Sequence, residues 1–479
     1  MRNFQIFWNL ENALESVADI ASFLLKFPLN KMNRKKESHN CIHPIMSSQR
    51  RIGKELEGEP SKKVKAESTE IFDLDILRHV YETLFPAEEF IQWLTYAHGD
   101  NLSVAEDLKK RELSFTLPGD IYCRYQGFAN AEELRKQLVA RTPIKIDIGA
   151  IYSEPMSRKD FKTFKPMSRE LIFDIDMDDY SPIRHCCEGA NVCEKCWKFM
   201  NYALLVLKTI LTKEFGFKHI LYVFSGRRGV HIWVCDRSAR ELTDSQRKAI
   251  VDYLSFSKIN QKIDYSLREA AKQLRPFFEE VMINTNGQDV LRYDPSIDDM
   301  NVKGDSMDAL LQKFSQQRFF PLLECLPSNF TKQKSQELKR ILVDSIQPED
   351  KWKRIEKLLS SDGYDTIEKI ILTYTYPRLD KNVSLLRHHL LKSPFIVHPK
   401  SHRFCCPIDP DQVESFVFSD APSMDDIFEN PESLQKYRDC VEMFKTKFLR
   451  PLQRDYNIED GIARGKAANA EEEFWCVCW

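Results

Sequence analysis

Two acidic residues, Asp174 and Asp176, lie two positions apart in the apolar run Leu-Ile-Phe-Asp-Ile-Asp-Met. The run predicts a β-strand, and side chains two apart on a strand share a face. Two carboxylates on one face repel each other unless a cation lies between them, and Mg²⁺ or Mn²⁺ accepts such oxygen ligands. Metal ions held in this way can serve phosphoryl transfer. The pair by itself is also what a solvated strand edge would carry.

Four cysteines, Cys186, Cys187, Cys193 and Cys196, follow the acidic strand within eleven residues. Cys-x-x-Cys is the usual half of a tetrahedral zinc site. Adjacent cysteines are a less common first half, so His185 is a substitute ligand if one of the pair points away. Buried or disulfide-bonded cysteines are the alternative interpretation. Four protein ligands leave no open position on the metal, so the sequence predicts a structural Zn²⁺ rather than a catalytic one.

Residues 225–231, Ser-Gly-Arg-Arg-Gly-Val-His, lie between two apolar stretches and predict a strand, a tight turn and a second strand. The two glycines let the backbone turn and approach a ligand closely. Arg227 and Arg228 offer planar forks suited to phosphate oxygens, and Ser225 and His231 add neutral or switchable donors. Beside a carboxylate–metal site, such a turn favours a nucleoside triphosphate as ligand. An exposed basic hairpin turn is the alternative.

In this order, the acidic strand, the cysteine knuckle and the turn resemble the small catalytic subunit of eukaryotic DNA primase, in the archaeo-eukaryotic primase superfamily. Two later motifs extend the resemblance, Tyr-Pro-Arg-Leu-Asp at residues 376–380 and Leu-Lys-Ser-Pro-Phe-Ile-Val-His-Pro-Lys at residues 391–400. The resemblance covers roughly residues 70 to 415, and five ordered motifs are far more specific than any one of them. It implies synthesis of a short RNA primer on single-stranded DNA from ribonucleotides.

The resemblance assigns catalytic metal binding to Asp174, Asp176 and Asp380, with Asp380 on a later strand after the break at Pro377. The residues that it places around the incoming nucleotide are Ser225, Arg227, Arg228, His231, Arg378, His389, Leu390, Leu391, Lys392 and His398. Arg378 lies two residues before Asp380 and is expected on the same strand face.

Segments between residues 111 and 150 resemble the early strands of the family. The side chains that the resemblance places in the inner lining of the nucleotide site are Glu112, Tyr122, Arg124, Lys145 and Asp147. Two-residue spacings put Tyr122 with Arg124, and Lys145 with Asp147, on a shared face. A solvated strand face is the alternative interpretation, because charged residues at alternate strand positions commonly form one.

The mechanism that the resemblance implies is two-metal phosphoryl transfer, in which a 3′-hydroxyl attacks the α-phosphate of a second nucleotide and pyrophosphate leaves. Mg²⁺ or Mn²⁺ is expected as the catalytic metal. Two alternatives stay open: a polymerase of the same superfamily that uses deoxynucleotides, and a non-catalytic, zinc-bearing nucleic-acid-binding module. The position of the knuckle between Asp176 and Ser225 favours the primase subunit. The intact aspartates argue against the binding module, since a buried charge without its metal costs stability.

The resemblance also implies a heterodimer with the DNA primase large subunit and, through that subunit, the DNA polymerase α assembly. A single-stranded DNA template and ribonucleoside triphosphates are the other expected ligands. The nucleus is the expected location, and the basic runs at residues 34–36 and 62–65 are candidate localisation signals.

The chain has 479 residues, of which 42% are hydrophobic, and a net charge of −2. This length allows two or three domains with a proper core. The basic surplus of many sequence-specific DNA binders is absent, which fits an enzyme that meets nucleic acid locally or through a partner. Thirteen cysteines without a signal peptide predict a reducing compartment. No membrane partner is expected, because no apolar run reaches the ~18 residues of a span.

These patterns, with the resemblance, predict an α/β (α+β) protein that has a mixed-sheet primase-type catalytic core, a zinc-binding knuckle and an inserted, mainly helical subdomain. The insert shows helical periods at residues 267–281, 307–323 and 338–346. The predicted layout is an N-terminal extension that is disordered or a short amphipathic helix (1–69), a first part of the core (70–255) with the knuckle at 185–197, the helical subdomain (256–350), a second part of the core (351–425), and a C-terminal helix and tail (426–479).

Overall fold

Nine strands in the described part of the chain form two sheets, and helices cover them. The computed structural model of the chain describes residues 72–96, 101–158, 163–256, 262–360 and 364–457. All of these residues belong to one compact unit, Glu70–Trp479. The expected N-terminal extension, its basic runs and the last part of the C-terminal tail lie outside the described residues.

The strands, in chain order, are β1 (Arg111–Leu117), β2 (Ile121–Gln126), β3 (Lys145–Tyr152), β4 (Pro166–Ser168), β5 (Leu171–Asp176), β6 (Ile220–Phe224), β7 (Gly229–Val234), β8 (Leu391–Lys392) and β9 (Pro407–Ile408). The α-helices are α1 (Leu74–Thr83), α2 (Ala87–Thr95), α3 (Asn101–Lys110), α4 (Ala131–Arg141), α5 (Glu194–Lys213), α6 (Arg237–Arg240), α7 (Asp244–Tyr253), α8 (Tyr265–Phe277), α9 (Met307–Lys313), α10 (Phe320–Leu323), α11 (Lys332–Val343), α12 (Pro348–Leu359), α13 (Tyr364–Thr375), α14 (Lys381–Leu385) and α15 (Pro431–Met443). Two π-helices, Phe278–Ile283 and Phe444–Leu449, continue α8 and α15, and a 3₁₀ turn, Met177–Tyr180, follows β5.

The first sheet has the strand order β2-β1-β3-β4, and β8 also pairs with β3. Thr116 of β1 lies opposite Tyr122 of β2 and Lys145 of β3. Asp147 of β3 lies opposite Lys392 of β8. Because paired residues and residues two apart share a face, all five side chains lie on one polar face of this sheet.

The opposite face of the first sheet is apolar and packs on helices. Its buried side chains are Leu113, Phe115, Ile146 and Ile148, and they share a core with α1, α2 and α4. One face of the sheet is thus buried in the core, and the polar face remains available to contact a ligand.

The second sheet has the strand order β5-β7-β6-β9, and β6 and β7 form a hairpin. Asp174 of β5 lies opposite His231 of β7. Leu171, Phe173 and Ile175 of β5 point into a large core beneath α5, so Asp174 lies on the other face. Every strand pair in both sheets is antiparallel. The predicted α/β class is confirmed, with antiparallel rather than mixed pairing. Tight turns join β1 to β2 and β6 to β7, and the strands that arrive by longer connections also run antiparallel to their neighbours.

The helices between residues 265 and 375 share the core of the second sheet. Phe277 of α8 and Trp352 of α12 are buried in the same cluster as Phe173 of β5 and Leu207 of α5. Both sheets then receive a strand from beyond this segment, because β8 joins the first sheet and β9 joins the second. One continuous core crosses the positions where the helical subdomain was expected to begin and end. The predicted domain boundaries therefore do not coincide with a break in the core, and they stay predictions.

The predicted helical periods of the insert are confirmed in part. Helix α8 with its π-helix covers the first period and α11 covers the third up to Val343, but the second is interrupted by turns at residues 314–319, between α9 and α10. The predicted C-terminal helix is α15. None of the helices within the described residues combines the length and the apolar character that crossing a lipid bilayer requires.

The strand expected to carry Arg378 and Asp380 is not formed. Pro377 lacks a backbone N–H and ends α13 without starting a sheet strand. Asp380 instead precedes α14 as its N-cap, and its side chain accepts the backbone N–H of Asn382 at 3.0 Å. Arg378 and Asp380 therefore do not share a strand face.

Replacement of Phe199 by alanine tests the packing between the core of the second sheet and the helical insert. The ring centroid of Phe199 lies 4.7 Å from that of Tyr180 and 5.1 Å from that of Phe277. We expect Phe199→Ala to lower the free energy of unfolding by about 3–5 kcal/mol, measured by urea denaturation, because a buried cavity replaces the ring. The exposed neighbour provides the control: Lys198→Ala should change this free energy by less than about 0.5 kcal/mol. Equal effects of the two substitutions would show that Phe199 does not join the two parts.

Candidate active site

A cleft of about 270 Å³ lies between the polar face of the first sheet and one end of the second. The residues that line it are Lys145, Asp147, Asp174, Asp176, Ser225, Arg227, Arg228, His231, Asp380, Val383, His389, Leu390, Leu391, Lys392 and His398. The fold thus brings together most of the residues that the sequence placed around a nucleotide, from segments far apart in the chain.

Three carboxylates converge in this cleft, those of Asp174, Asp176 and Asp380. Strand β5 presents the first two on one face, and the backbone N–H of Asp380 donates to the carbonyl of Asp174 at 3.0 Å. Burial, followed by repulsion from the carboxylates of Asp176 and Asp380, raises the pKa of Asp174 to about 7. A divalent cation relieves such crowding, so this set of oxygen donors fits Mg²⁺ or Mn²⁺.

Arg228 lies at the rim of the carboxylate group. Its Nε is 2.9 Å from Oδ1 of Asp176, and its Nη2 pairs with the carboxylate of Asp178. The backbone N–H of Asp178 also donates to Asp176 at 2.9 Å. These contacts hold a guanidinium fork beside the carboxylates, where phosphate oxygens would meet it.

The turn between β6 and β7 depends on its glycines. Gly226 has a φ of +88°, and a Cβ there would lie 2.7 Å from Cβ of His398. A Cβ on Gly229 would lie 2.5 Å from the carbonyl oxygen of Ile175 in β5. The hydroxyl of Ser225 accepts the backbone N–H of Gly229 at 3.1 Å and closes the turn. The absence of side chains at both glycines lets the turn approach β5 and the His398 loop closely.

Two histidines of the cleft, the half-buried His398 and the buried His231, are neutral rings. Burial lowers the pKa of His398 to about 3, with Lys392 and Arg227 adding to the effect. Nδ1 of His398 accepts the backbone N–H of Lys400 at 3.2 Å, which assigns the ring proton to Nε2 as a donor. Burial likewise lowers the pKa of His231 to about 3, and its Nδ1 has no hydrogen-bond partner within the described residues. His398 can therefore serve an anion as a neutral donor, whereas Nε2 of His231 lies 3.6 Å from Oδ1 of Asp174.

Lys392 and Lys145 supply the cationic groups on the side of the first sheet. Nζ of Lys392 donates to the carbonyl of Ser225 at 3.2 Å, and burial lowers the pKa of this amine. Nζ of Lys145 is 3.0 Å from Oδ1 of Asp147. With Arg227 and Arg228 opposite, the cleft has positive groups on two sides of the carboxylates.

The cysteine knuckle lies between β5 and α5. The Sγ atoms of Cys186, Cys187, Cys193 and Cys196 all lie within 4.8 Å of one another, and none of these cysteines forms a disulfide. Sγ of Cys193 is 3.6 Å from that of Cys186 and 3.8 Å from that of Cys196. A tetrahedral zinc with bonds of 2.3 Å requires sulfur atoms about 3.8 Å apart, so the cluster fits a metal such as zinc.

His185 does not take part in this cluster of converging side chains. Its ring Nε2 is buried without a hydrogen-bond partner, and burial, with Arg318 adding to the effect, lowers the pKa of the ring to about 4. Its backbone N–H donates to Oε1 of Gln288 at 2.6 Å, and Nε2 of Gln288 donates to Sγ of Cys186 at 3.2 Å. The glutamine amide thus fixes the start of the knuckle, and both adjacent cysteines turn inward.

Comparison with known proteins places these features in a family. Residues 173–410 match the family model described as DNA primase small subunit, a range that includes all three carboxylates and the four cysteines. The DNA primase small subunit of Schizosaccharomyces pombe is 37% identical over 74% of this chain and 78% of its own length. The chain belongs to the DNA primase small-subunit family. The DNA primase small subunit of Drosophila melanogaster is 33% identical over 79% of this chain and 91% of its own length. That of Saccharomyces cerevisiae is 32% identical over 73% of this chain and 84% of its own length.

Four residues that the sequence assigned to the nucleotide, Arg378, Glu112, Arg124 and Tyr122, do not line the cleft. Arg378 donates to the carbonyl of Asp179 and lies 5.4 Å over the ring of Tyr180. Glu112 is fully buried and accepts Nε of Arg124 at 2.9 Å. Tyr122 is 52% exposed on the edge strand β2. Their roles in nucleotide binding stay predictions.

The cleft also contains a residue that the sequence did not single out, and another lies at its rim. Val383 on α14 follows Asp380 by three residues and lines the cleft because the same helix start carries both. Asp178 pairs with Arg228. Val383 is an ordinary apolar residue with no chemical signal, whereas Asp178 was visible as one more acid after the Asp-x-Asp pair.

Substitution of one knuckle cysteine tests whether the four cysteines hold a metal ion. We expect Cys193→Ser to lower the zinc content of the purified chain from about one ion to well under half, because serine is a poor zinc ligand and tetrahedral sites need all four donors. Elemental analysis by plasma mass spectrometry measures this content. Cys123→Ser on β2 is the matched control, since Cys123 is outside the cluster, and it should retain the metal. An unchanged zinc content in Cys193→Ser would rule out this ligand set.

Proposed function

We propose that the chain is the catalytic primase subunit, which joins ribonucleotides into short RNA primers on a single-stranded DNA template. One observation carries this proposal: the carboxylates of Asp174, Asp176 and Asp380 meet in a single cleft with two arginines, two lysines and the neutral ring of His398. Carboxylates suit divalent metals, and the other groups suit a triphosphate. A cleft with both sets next to each other is what two-metal phosphoryl transfer requires.

The metal-binding half of the proposal assigns Mg²⁺ or Mn²⁺ to Asp174, Asp176 and Asp380. Bound there, the ions would lower the pKa of the attacking 3′-hydroxyl and stabilise charge on the leaving pyrophosphate. The chain contributes the placement of the three carboxylates, which β5 and the Asp380–Asp174 backbone hydrogen bond hold at one end of the cleft.

The triphosphate half of the proposal assigns the phosphates to the turn and to the segment around β8. Arg227 and Arg228 provide guanidinium forks, and Lys392 provides a point charge. His398 donates from Nε2 without adding charge, because its ring is neutral. These donors are in place before the reaction, so they stabilise the charge that moves onto pyrophosphate at little cost in reorganisation.

The remaining wall of the cleft suits the sugar and base. Leu390, Leu391 and Val383 give it apolar surface, and Asp147 and His389 give it polar groups. We assign these residues to the nucleoside part of the substrate, because they are the cleft-lining groups that the metal and the phosphates do not use. The incoming nucleotide would then lie across the cleft with its α-phosphate nearest the carboxylates, where an attacking hydroxyl can align with it.

A non-catalytic binding module is the less favoured function. Burial, together with repulsion from Asp176 and Asp380, raises the pKa of Asp174 to about 7, which is a cost to the folded chain without a bound cation. A module that only bound nucleic acid would gain nothing from this arrangement. A polymerase that uses deoxynucleotides would need the same carboxylates, so the choice of sugar is tested by adding dATP in place of ATP in the assay described below.

The partners and the location are proposed from the family alone. The relatives are named as small subunits, which supports a heterodimer with a DNA primase large subunit and, through it, membership of the DNA polymerase α assembly. We propose the nucleus as the location, where that assembly would act. We also propose Zn²⁺ as the structural metal of the knuckle, from the fit of its four sulfur atoms.

Neutralisation of one carboxylate tests the catalytic assignment. We expect Asp174→Asn to reduce primer synthesis by about 10²-fold or more, because a metal ligand is lost, without lowering the thermal unfolding midpoint, because a repulsive charge is also removed. The assay uses unprimed poly(dT), labelled ATP and Mn²⁺, with and without a large subunit. Asp439→Ala, an exposed acid on α15, is the control and should retain full activity. Synthesis near the wild-type rate by Asp174→Asn would refute the metal site.

Replacement of Arg228 by lysine tests the triphosphate contact. The variant keeps the charge but loses the fork, so we expect the KM for ATP to rise about tenfold or more with a smaller change in kcat. Arg450→Lys is the matched control, because Arg450 is 64% exposed and outside the cleft. If both KM and kcat of Arg228→Lys equal those of the wild type, Arg228 does not contact the nucleotide.

A further inference from the structure

Arg169 lies behind the cleft and contacts its wall from the core. It lies between β4 and β5, where the chain passes from the first sheet to the second. Its side chain is 2% exposed and lines no part of the cleft. Nη1 donates to the carbonyl of Gly149 at 3.1 Å, and Nη2 donates to the carbonyl of His389 at 3.2 Å. One guanidinium therefore joins strand β3 to the segment that leads into β8.

Arg169 is not required to neutralise the acid beside it. The carboxylate of Glu170 already accepts Nη1 and Nη2 of Arg111 at 2.9 and 2.8 Å, whereas Nη1 of Arg169 is 3.3 Å away. A second guanidinium next to a paired carboxylate is an excess positive charge in the core, and burial lowers the pKa of Arg169 to about 10. Two contacts distinguish Arg169 from Arg111, the hydrogen bond to the carbonyl of His389 and a cation–π contact of 5.3 Å with the ring of Trp233.

The segment from His389 to Lys392 needs such support. Strand β8 has only two residues, and it pairs with β3 through Lys392 opposite Asp147 and Leu391 opposite Ile148. So short a ladder holds its register weakly. Directly before it, Leu390 packs closely on Gly149, where a Cβ would lie 2.9 Å from Cδ2 of the leucine. Arg169 donates to the carbonyls of His389 and Gly149, on either side of this contact, and Arg111 also donates to the carbonyl of Gly149 at 3.0 Å.

We propose that Arg169 is a positioning residue for the nucleotide cleft, which sets the place of Lys392 relative to the carboxylates of β5 by holding the carbonyls of His389 and Gly149. It acts through the segment and does not touch the substrate. The inference rests on the proposed function, since the reason to place Lys392 accurately is a triphosphate. Lysine cannot replace arginine here, because a single ammonium lacks the planar fork that reaches two carbonyls at once.

The test compares Arg169→Lys with Arg111→Lys in the full chain. Both variants retain the charge in the same buried cluster, but only the first removes the contact with His389. We expect the Kd for ATP with Mg²⁺, measured by calorimetry, to rise about tenfold in Arg169→Lys and to stay within about twofold in Arg111→Lys. We also expect faster hydrogen–deuterium exchange of peptides that contain residues 389–393 in Arg169→Lys alone. If Arg169→Lys does not fold, Arg169→Gln takes its place.

Three results would overturn the inference. Wild-type affinity and wild-type exchange in Arg169→Lys would show that the contact has no positioning effect. Equal losses of affinity and equal exchange in the two variants would assign Arg169 a general role in core stability. Unchanged exchange at residues 389–393, together with weaker ATP binding, would show that Arg169 acts by another route. Failure of the wild-type chain to bind ATP would instead refute the proposed function, and the exchange comparison would still decide whether Arg169 holds the segment.

Discussion

Mutual repulsion among three carboxylates is the constraint on which the rest of the site depends. Asp174 and Asp176 share a face of β5, and Asp380 is brought to them by a backbone hydrogen bond to Asp174 itself. Side chains alone would move apart, so the backbone has to hold them. This explains why β5 is paired along its full length with β7, and why both faces of the second sheet are packed against cores. A well-packed sheet resists the displacement that would relieve the repulsion.

The positively charged residues of the cleft come from both sheets. The arginines come from a turn within the second sheet, whereas Lys392 comes from a two-residue strand added to the first sheet after the helical insert. The two sides meet because Gly226 packs on His398, the carbonyl of Ser225 accepts Lys392, and Arg169 holds the approach to β8. Charge complementarity across the cleft is therefore a property of sheet-to-sheet packing. No single motif carries both signs of charge in the right place.

Local patterns in the sequence predicted the parts of this site that are built locally. Alternation along β5 and the glycines of the β6–β7 turn are properties of a few neighbouring residues, and the structure has both elements where the pattern placed them. Asp380 was identified by motif alone, and its expected strand is absent because its own side chain caps α14. Arg169 carried no signal at all, since its partners Gly149 and His389 are 20 and 220 residues away in the chain. For the knuckle, spacing could not decide between His185 and the second adjacent cysteine, because that choice depends on a contact with Gln288 from the insert.

This last contact shows how the helical insert relates to the site. Gln288 joins the knuckle by both ends of its amide, and its own backbone N–H donates to the carbonyl of Val281 at 2.7 Å. The knuckle in turn caps α5, whose apolar side packs beneath the strand that carries Asp174. A metal held by the four cysteines would fix the loop between β5 and α5. Loss of the metal would therefore weaken both the contact with the insert at Gln288 and the packing of α5 beneath β5, which carries Asp174 and Asp176. The knuckle lies outside the cleft, and its physical effect on catalysis would pass through the rigidity of β5 rather than through any contact with the nucleotide.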